Sequence, residues 1–313
     1  MRICFDIASA ANPAGRTASL REQTRFAVLA YTMQEFCEVC VRPSMLLQDH
    51  ERGQFFRRMS KSDSYDYLVT SEMVGDTGDV IIKVSEGVRR DRELLERESC
   101  KVLVAHEHNS AHDVDNHPKL LPVPWPIYET TVDALIEADL FFAYLTGDLT
   151  AIREVFATEP RIPRAVFIGT WLYGREKLAA RVPQSISDII LYGDNKPFSP
   201  QDYLKRVGQY AVGYDFPGNT PKTNRFSDLV MLGVVVARTA HDCPVTPSLT
   251  PENSVLMDCA YPPNRWRSEA ALQAGIESHL ALREAADRAW HEGWGPRGTA
   301  KLIYERLAAE GRS

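Results

Sequence analysis

The sequence predicts an α/β protein with two domains, each built around a parallel sheet. The chain has 313 residues, which is long for a single domain. Short apolar runs alternate with helical stretches from the N-terminus onward, as expected of repeated strand–helix units. The alternation starts again after Trp171–Gln184, a helical or linking segment, and we place the domain boundary near Leu172 to Lys177. We therefore expect the first domain to span residues 1–172 and the second 173–313.

The strands predicted in the first domain are short and apolar, which is typical of strands covered by helices on both faces. In chain order they are Arg2–Ala8, Glu38–Arg42, Tyr65–Thr70, Asp79–Val84, Lys101–Ala105, Leu140–Tyr144 and Ala165–Gly169. The helices predicted between them are Leu20–Phe36, Gln48–Met59, Asp91–Glu98, Thr131–Glu137 and Leu149–Ala157.

The second domain is predicted to repeat this pattern with fewer strands. The strand candidates are Asp188–Tyr192, Gln209–Tyr214, Val234–Val236 and Val255–Asp258. A helix over Ser199–Val207 has Pro200 at its start, where proline is favoured. Two helical tracts, Ser268–His291 and Gly298–Ala309, end the chain and are separated by the Gly-rich stretch 293–298.

The composition of the chain argues against several classes of function. The net charge is −6, from 36 basic and 42 acidic residues, which argues against a general nucleic-acid coat. Cys37 and Cys40 form a CxxC pair, but no second pair follows at a zinc spacing, so we interpret them as a helix end leading into a strand. No signal peptide opens the chain, and the longest apolar run, Leu229 to Ala237, is too short to span a bilayer. We expect a soluble cytoplasmic protein in a reducing compartment.

The segment from Lys222 to Arg238 is the most informative part of the chain. Arg225 and Asp228 are three residues apart at the start of a short helix, so both lie on one helix face. A break at Gly233 and a β-branched strand follow. A cation and helix amides can hold a phosphate, while a carboxylate can accept from a ribose diol. This pairing suits a nucleotide-sugar, and an exposed ion pair ahead of a core strand is the alternative.

Other loops that directly follow strands are candidate ligand contacts, because ligands of parallel sheets bind at the carboxyl ends of the strands. After the first strand, Gly15 and Arg16 could touch a phosphate or an acceptor, although neither a GxGxxG motif nor a P-loop is present. After the first strand of the second domain, the turn 192–196 offers Gly193, Asn195 and Lys196. The loop 215–225 contains a second cation, Lys222, in addition to Arg225. These residues could approach one ligand from neighbouring strands.

Four of the eight histidines fall within residues 106–117, directly after a predicted strand. His106, Glu107 or His108 could act as a general base near neutral pH. A divalent metal site is a second interpretation, although no HExxH or similar spacing supports it. A polar surface loop is the third. The residues alone leave all three open.

The segment RFSDLVMLGVVV, 225–236, resembles the nucleotide-sugar-binding region of GT-B glycosyltransferases, and more distantly that of the phage β-glucosyltransferases that modify hydroxymethylcytosine in DNA. The resemblance implies two Rossmann-like domains facing across a cleft, with the last helix packing back on the first domain. It gives Asp228 the ribose and Arg225 the phosphates. This chain differs in having Asp where the phage enzymes have Glu, and in lacking a glycine-rich pair after strand one.

The resemblance also implies a hexosyl- or pentosyltransferase that moves a sugar from a nucleotide-sugar, most simply a UDP-sugar, to a hydroxyl acceptor. The acceptor would be hydroxymethylated double-stranded DNA, a glycan or a small molecule. No cofactor or bound metal is required in this class, and a divalent ion is an open alternative. Two other functions remain: a metal-dependent hydrolase or isomerase using the loop 106–117, and a non-catalytic nucleotide-binding protein.

Overall fold

The structure of the chain is a computed structural model, and it divides into two compact units. Unit 1 comprises Met1–Trp125 with Thr299–Ser313, and unit 2 comprises Pro126–Gly298. The residues that the structure describes are 1–6, 28–42, 78–84, 101–105, 134–135, 137–170, 180, 182–193, 198–216, 224–238, 247–257 and 269–310.

Unit 1 contains a parallel sheet of four strands in the order β2-β1-β3-β4. The strands are β1 (Arg2–Asp6), β2 (Glu38–Arg42), β3 (Val80–Val84) and β4 (Lys101–Ala105). Ile3, Cys4 and Phe5 of the inner strand β1 are fully buried, as is typical of strands in parallel sheets. Residues 28–33 are helical, and Cys37 is followed at once by β2, as the CxxC interpretation predicts.

Unit 2 contains a parallel sheet of five strands in the order β6-β5-β7-β8-β9. The strands are β5 (Ile162–Thr170), β6 (Ser187–Tyr192), β7 (Tyr210–Tyr214), β8 (Val235–Arg238) and β9 (Val255–Leu256). The chain adds β6 on one side of β5 and all later strands on the other. The switch point, where ligands of such sheets bind, therefore lies at the carboxyl ends of β5 and β7.

Helices in the described residues follow local sequence signals. Ser199 caps the helix that begins at Pro200, since its side chain accepts from the Asp202 N–H at 3.1 Å. The bounds are α1 (Phe141–Thr146), α2 (Leu149–Phe156), α3 (Pro200–Val207), α4 (Asn224–Met231), α5 (Glu269–Glu277), α6 (His279–Ala289) and α7 (Pro296–Glu310). A 3-10 turn, Gln184–Ile186, precedes β6, and a π-helical turn, Trp290–Trp294, follows α6.

The prediction of an α/β protein with parallel sheets is confirmed, but one predicted strand is wrong. The predicted strand Leu140–Tyr144 is helix α1, because Phe141, Tyr144 and Leu145 are buried at the three- and four-residue spacing of a helix. The predicted strand Ala165–Gly169 is present as part of β5, but it pairs with β6 and β7 in the second sheet. Strands joined by helices look alike along the chain, and the sheet that a strand joins depends on pairings between distant residues.

With β5 in the second sheet, the boundary predicted at residue 172 falls inside unit 2. Residues from Thr299 onward belong to unit 1, where Tyr304 of α7 stacks on Phe36 with ring centroids 5.9 Å apart. The predicted strand Tyr65–Thr70 and helix Gln48–Met59 lie outside the described residues. Within the described part of the chain, no helix has the length and hydropathy needed to cross a membrane.

Candidate functional site

Helix α4 lies at the carboxyl edge of the second sheet and carries both Arg225 and Asp228. It follows β7 and precedes β8, and residues 226–231 are all buried. A helix buried on every side is normally apolar, so a buried carboxylate and a partly buried guanidinium in one turn need a reason. The predicted helix, the break at Gly233 and the strand after it are confirmed.

Arg225 is held against the end of β5. Its Nη2 donates to the backbone oxygen of Ile168 at 3.1 Å, and its guanidinium lies over the Phe167 ring, 4.3 Å from the ring centroid. A Cβ on Gly169 would come within 2.7 Å of Nη2, so only glycine lets the guanidinium approach the strand this closely. Both contacts fix the plane of the guanidinium, whose planar fork suits bidentate binding of a phosphate.

Asp228 is buried in the same turn, with only 2% of its surface exposed. Its carboxyl group accepts a hydrogen bond from Tyr203 of α3, and its Oδ1 has no hydrogen-bond partner among the described residues. Burial raises the pKa of Asp228 to about 7, while Arg225 and the Tyr203 hydroxyl lower that pKa and Asp215 raises it. A buried oxygen without a donor is costly, so this carboxylate is suited to a ligand hydroxyl.

Asp215 and Arg238 form a buried ion pair beside this turn. Asp215 directly follows β7, Arg238 ends β8, and Nη1 of the arginine donates to Oδ2 of the carboxylate with both side chains fully buried. The Asp215 N–H also donates to the Ala237 oxygen at 3.1 Å, which continues the pairing of β7 with β8. This pair fixes the strand ends that flank α4, and its position at the carboxyl edge makes it part of the floor of the candidate site.

The far end of α4 is bound by two arginines from elsewhere in unit 2. Arg153 of α2 donates to the Met231 and Val230 oxygens at 3.1 and 3.0 Å, and it pairs with Asp287 of α6 through both of its terminal nitrogens. Arg161 donates to the Leu232 oxygen at 2.8 Å. Carbonyls at a helix C-terminus lack partners within the helix, and cations favour that end of the dipole. These contacts anchor α4 and fix the position of its first turn.

Gly233 allows the chain to turn directly from α4 into β8. Its φ is 70°, a left-handed conformation that favours glycine, and a Cβ there would lie 2.8 Å from Nε of Arg153. The sequence motif is therefore a compact helix–turn–strand unit, and its glycine also makes room for the arginine that binds the helix end.

The structure brings together only part of the predicted site. Arg225 and Asp228 share one turn of α4, and Gly193 directly follows β6, the neighbour of β5. The other predicted site residues lie outside the described residues: Gly15, Arg16, His106, Glu107, His108, Asn195, Lys196 and Lys222. The loop 106–117 begins immediately after β4, whose last residue, Ala105, pairs with Val84 of β3.

Sequence reasoning missed several residues of the site. Tyr203 gave no signal, since a tyrosine within an amphipathic helix is ordinary. Phe167 and Ile168 give no signal of their proximity to Arg225, because the sequence does not show that their strand pairs with β7. Asp215 and Arg238 have a usable signal, because each is a charge at the carboxyl end of an apolar strand. No group of three or more metal-ligating side chains occurs among the residues that the structure describes.

Comparison of the sequence with protein-family models and with curated proteins gives no match. Comparison with solved structures gives HepE from Anabaena in complex with UDP, with a TM-score of 0.44, 8% identity, and coverage of 98% of this chain and 99% of that one. HepE with UDP and glucose gives a TM-score of 0.43 at 9% identity, covering 99% of this chain and 100% of that one.

WaaG, a glycosyltransferase involved in lipopolysaccharide biosynthesis, is also similar. Its TM-score is 0.36 at 12% identity, covering 96% of this chain and 99% of that chain. Because these values are low, the residue roles proposed below rest on the geometry of this chain alone.

Proposed function

We propose that the protein is a glycosyltransferase of the GT-B type that binds the nucleotide part of a nucleotide-sugar at the carboxyl edge of the second sheet. The observation that carries the proposal is the first turn of α4. It combines a guanidinium fixed on β5 with a buried carboxylate whose Oδ1 has no partner among the described residues, at the switch point of a parallel sheet.

The chemistry of this turn matches a nucleoside diphosphate. Arg225 would bind the diphosphate and stabilise the negative charge that develops on it as the bond to the sugar C1 breaks. Asp228 Oδ1 would accept from a ribose hydroxyl. Gly193, Asn195, Lys196 and Lys222 are proposed as further donor contacts from the neighbouring loops.

The acceptor side is proposed to lie in unit 1. In an inverting reaction a base takes the proton from the acceptor hydroxyl as that oxygen attacks C1, and His106, Glu107 or His108 is proposed for this role. Gly15 and Arg16 are proposed to contact the acceptor or a phosphate. Hydroxymethylated DNA, a glycan and a small molecule remain the proposed acceptor classes, with the transferred sugar a hexose or pentose. No bound metal is proposed for the chemistry.

A panel of nucleotide-sugars tests the proposal. The full chain is incubated with UDP-, GDP-, ADP- and CMP-linked sugars, with hydroxymethylated DNA or oligosaccharides as acceptors, and products are read by mass spectrometry. We expect hydrolysis or transfer with one nucleotide class and loss of turnover in Arg225→Ala. Turnover that requires a divalent ion and ignores Arg225 would instead favour the hydrolase alternative. Tight nucleotide binding without turnover would favour a binding protein.

A further inference from the structure

Tyr203 donates a hydrogen bond to the buried Asp228 carboxyl group, whose Oδ1 has no partner among the described residues. It lies in α3, the helix that connects β6 with β7, whose buried residues Leu204 and Val207 pack toward the sheet. Burial is the largest cause that raises the pKa of Tyr203, and the Asp228 charge is the next. The phenol therefore keeps its proton at all working pH values and acts as a donor throughout.

The Tyr203 hydroxyl and the Arg225 guanidinium both favour the ionised form of Asp228, and burial opposes it. Only the ionised carboxylate can accept at both oxygens, because a protonated carboxyl group must place its own hydrogen on one of them. The described charged and titratable groups that act on this carboxylate are Arg225 on α4, Tyr203 on α3 and Asp215 after β7, which pairs with Arg238 on β8. Tyr192 on β6 interacts with Tyr203.

We propose that Tyr203 is a positioning residue for the donor nucleotide, whose hydroxyl holds the Asp228 carboxylate ionised and oriented so that Oδ1 accepts from a ribose hydroxyl. This inference rests on the proposed function, since it assumes that Asp228 contacts the nucleotide. It adds a role for α3, a helix that contributes no residue to the site predicted from the sequence. It also makes nucleotide affinity depend on pH near neutrality.

Tyr203→Phe tests the proposal, because it removes one oxygen and leaves the ring. Without this donor the Asp228 pKa rises, and a rise of about one unit is reasonable for one hydrogen bond to a charged group. If only the ionised form binds, UDP affinity in Tyr203→Phe should be about fivefold weaker than wild type at pH 7. At pH 8.5, where Asp228 is ionised in both proteins, the ratio should fall to less than about 1.5.

The measurement is UDP binding by calorimetry between pH 6.5 and 8.5, with wild type and variant compared at each pH. Titration of UDP itself cancels in this ratio. Thermal unfolding of each variant checks that it is folded. A merely structural tyrosine would weaken binding by the same factor at every pH, so a ratio that does not change with pH overturns the proposal.

Tyr210→Phe is the matched control. Tyr210 opens β7 at the opposite edge of the same sheet, and its hydroxyl bonds the Asp188 carboxylate, so the same substitution breaks the same kind of pair away from the site. We expect a UDP affinity ratio near one at every pH for this control. A pH-dependent ratio as large as that of Tyr203→Phe would also overturn the proposal.

A double-mutant cycle separates this inference from the proposed function. In an Asp228→Asn background, Tyr203→Phe should cause less than about a twofold further change, because neither carboxyl form remains to be biased. If Asp228→Asn binds UDP like wild type, the proposed ribose contact fails. If Asp228→Asn weakens binding but Tyr203→Phe does not, only the role of Tyr203 fails.

Discussion

The two ends of helix α4 differ in whether their buried polar groups have hydrogen-bond partners in the described part of the chain. At its C-terminal end the backbone oxygens of Val230, Met231 and Leu232 all accept from arginine side chains. At its first turn the buried carboxylate of Asp228 keeps one oxygen without a partner in the described part of the chain. Nearly every buried polar group in a folded protein is satisfied, so the difference separates an anchored end from the end that we propose to bind the nucleotide, called the binding end below.

The same contrast appears in how the arginines are used. Arg153 is committed to internal partners, with two helix oxygens and the Asp287 carboxylate bound at once. Arg225 is held by the strand oxygen of Ile168 and by an aromatic face. Arg153 thereby anchors helix α4, whereas the strand oxygen and the aromatic face fix the orientation of the Arg225 guanidinium.

The largest expected effect breaks the binding end. Arg225→Ala should weaken UDP binding by about 100-fold, since it removes a charge-assisted contact to the diphosphate. Arg225→Lys should recover little of this loss, because an ammonium cannot reproduce the planar fork. Calorimetry at pH 8 measures both variants. Affinity within twofold of wild type in the alanine variant would contradict the phosphate role.

Breaking the anchored end should change stability instead. Arg153→Met removes two contacts to helix oxygens and leaves Asp287 without this partner, so the unfolding free energy of unit 2 should fall by about 2–3 kcal/mol. Urea unfolding followed by circular dichroism measures the loss. The folded variant should bind UDP within about threefold of wild type, and a 100-fold loss of affinity would mean that the two ends of α4 are not separable.

Asp228→Asn should weaken UDP binding and raise the free energy of unfolding. Folding raises the pKa of this acid from 3.8 to about 7, so the stabilisation that belongs to its protonated form is complete below pH 4 and lost as pH rises through 7. The neutral amide avoids the buried charge. At pH 8 the variant should be more stable than wild type by about 2 kcal/mol and bind UDP about tenfold more weakly. At pH 4 the difference in melting temperature should disappear, and a difference that is the same at both pH values would count against a buried ionised Asp228.

Gly169→Ala should give the smallest effect. It tests whether the close approach of the Arg225 guanidinium to β5 matters for binding. The added Cβ would lie 2.7 Å from both Arg225 Nη2 and Phe167 Cζ, so the guanidinium must shift from the Ile168 oxygen. We expect UDP binding about fivefold weaker, roughly 1 kcal/mol, with little loss of stability if the arginine moves alone. Gly275→Ala is a matched control, because its added Cβ would contact Val255 of β9 and not a residue of α4.

Local features of the fold and of the candidate site can be predicted from the sequence. The spacing of Arg225 and Asp228, the break at Gly233 and the β-branched strand are local features, and each is found where it was expected. Pro200 and Ser199 likewise mark the start of α3. Such signals depend on neighbouring residues, so one sequence is enough to read them.

The non-local part could not be predicted from one sequence. Arg153 and Val230, and Arg225 and Ile168, are far apart along the chain, and nothing in composition links them. Helix α1 was mistaken for a strand because a short apolar run fits either period until its buried face is known. The hydrogen bond from Tyr203 to Asp228 joins two different helices, α3 and α4, so it could not be predicted either.

The most direct test is a crystal structure of the full chain with bound UDP. We predict that the diphosphate lies within about 3 Å of the Arg225 guanidinium and that a ribose hydroxyl lies at a similar distance from Asp228 Oδ1, both hydrogen-bond distances. UDP bound at any other place, with these two side chains keeping only their present partners, would contradict it.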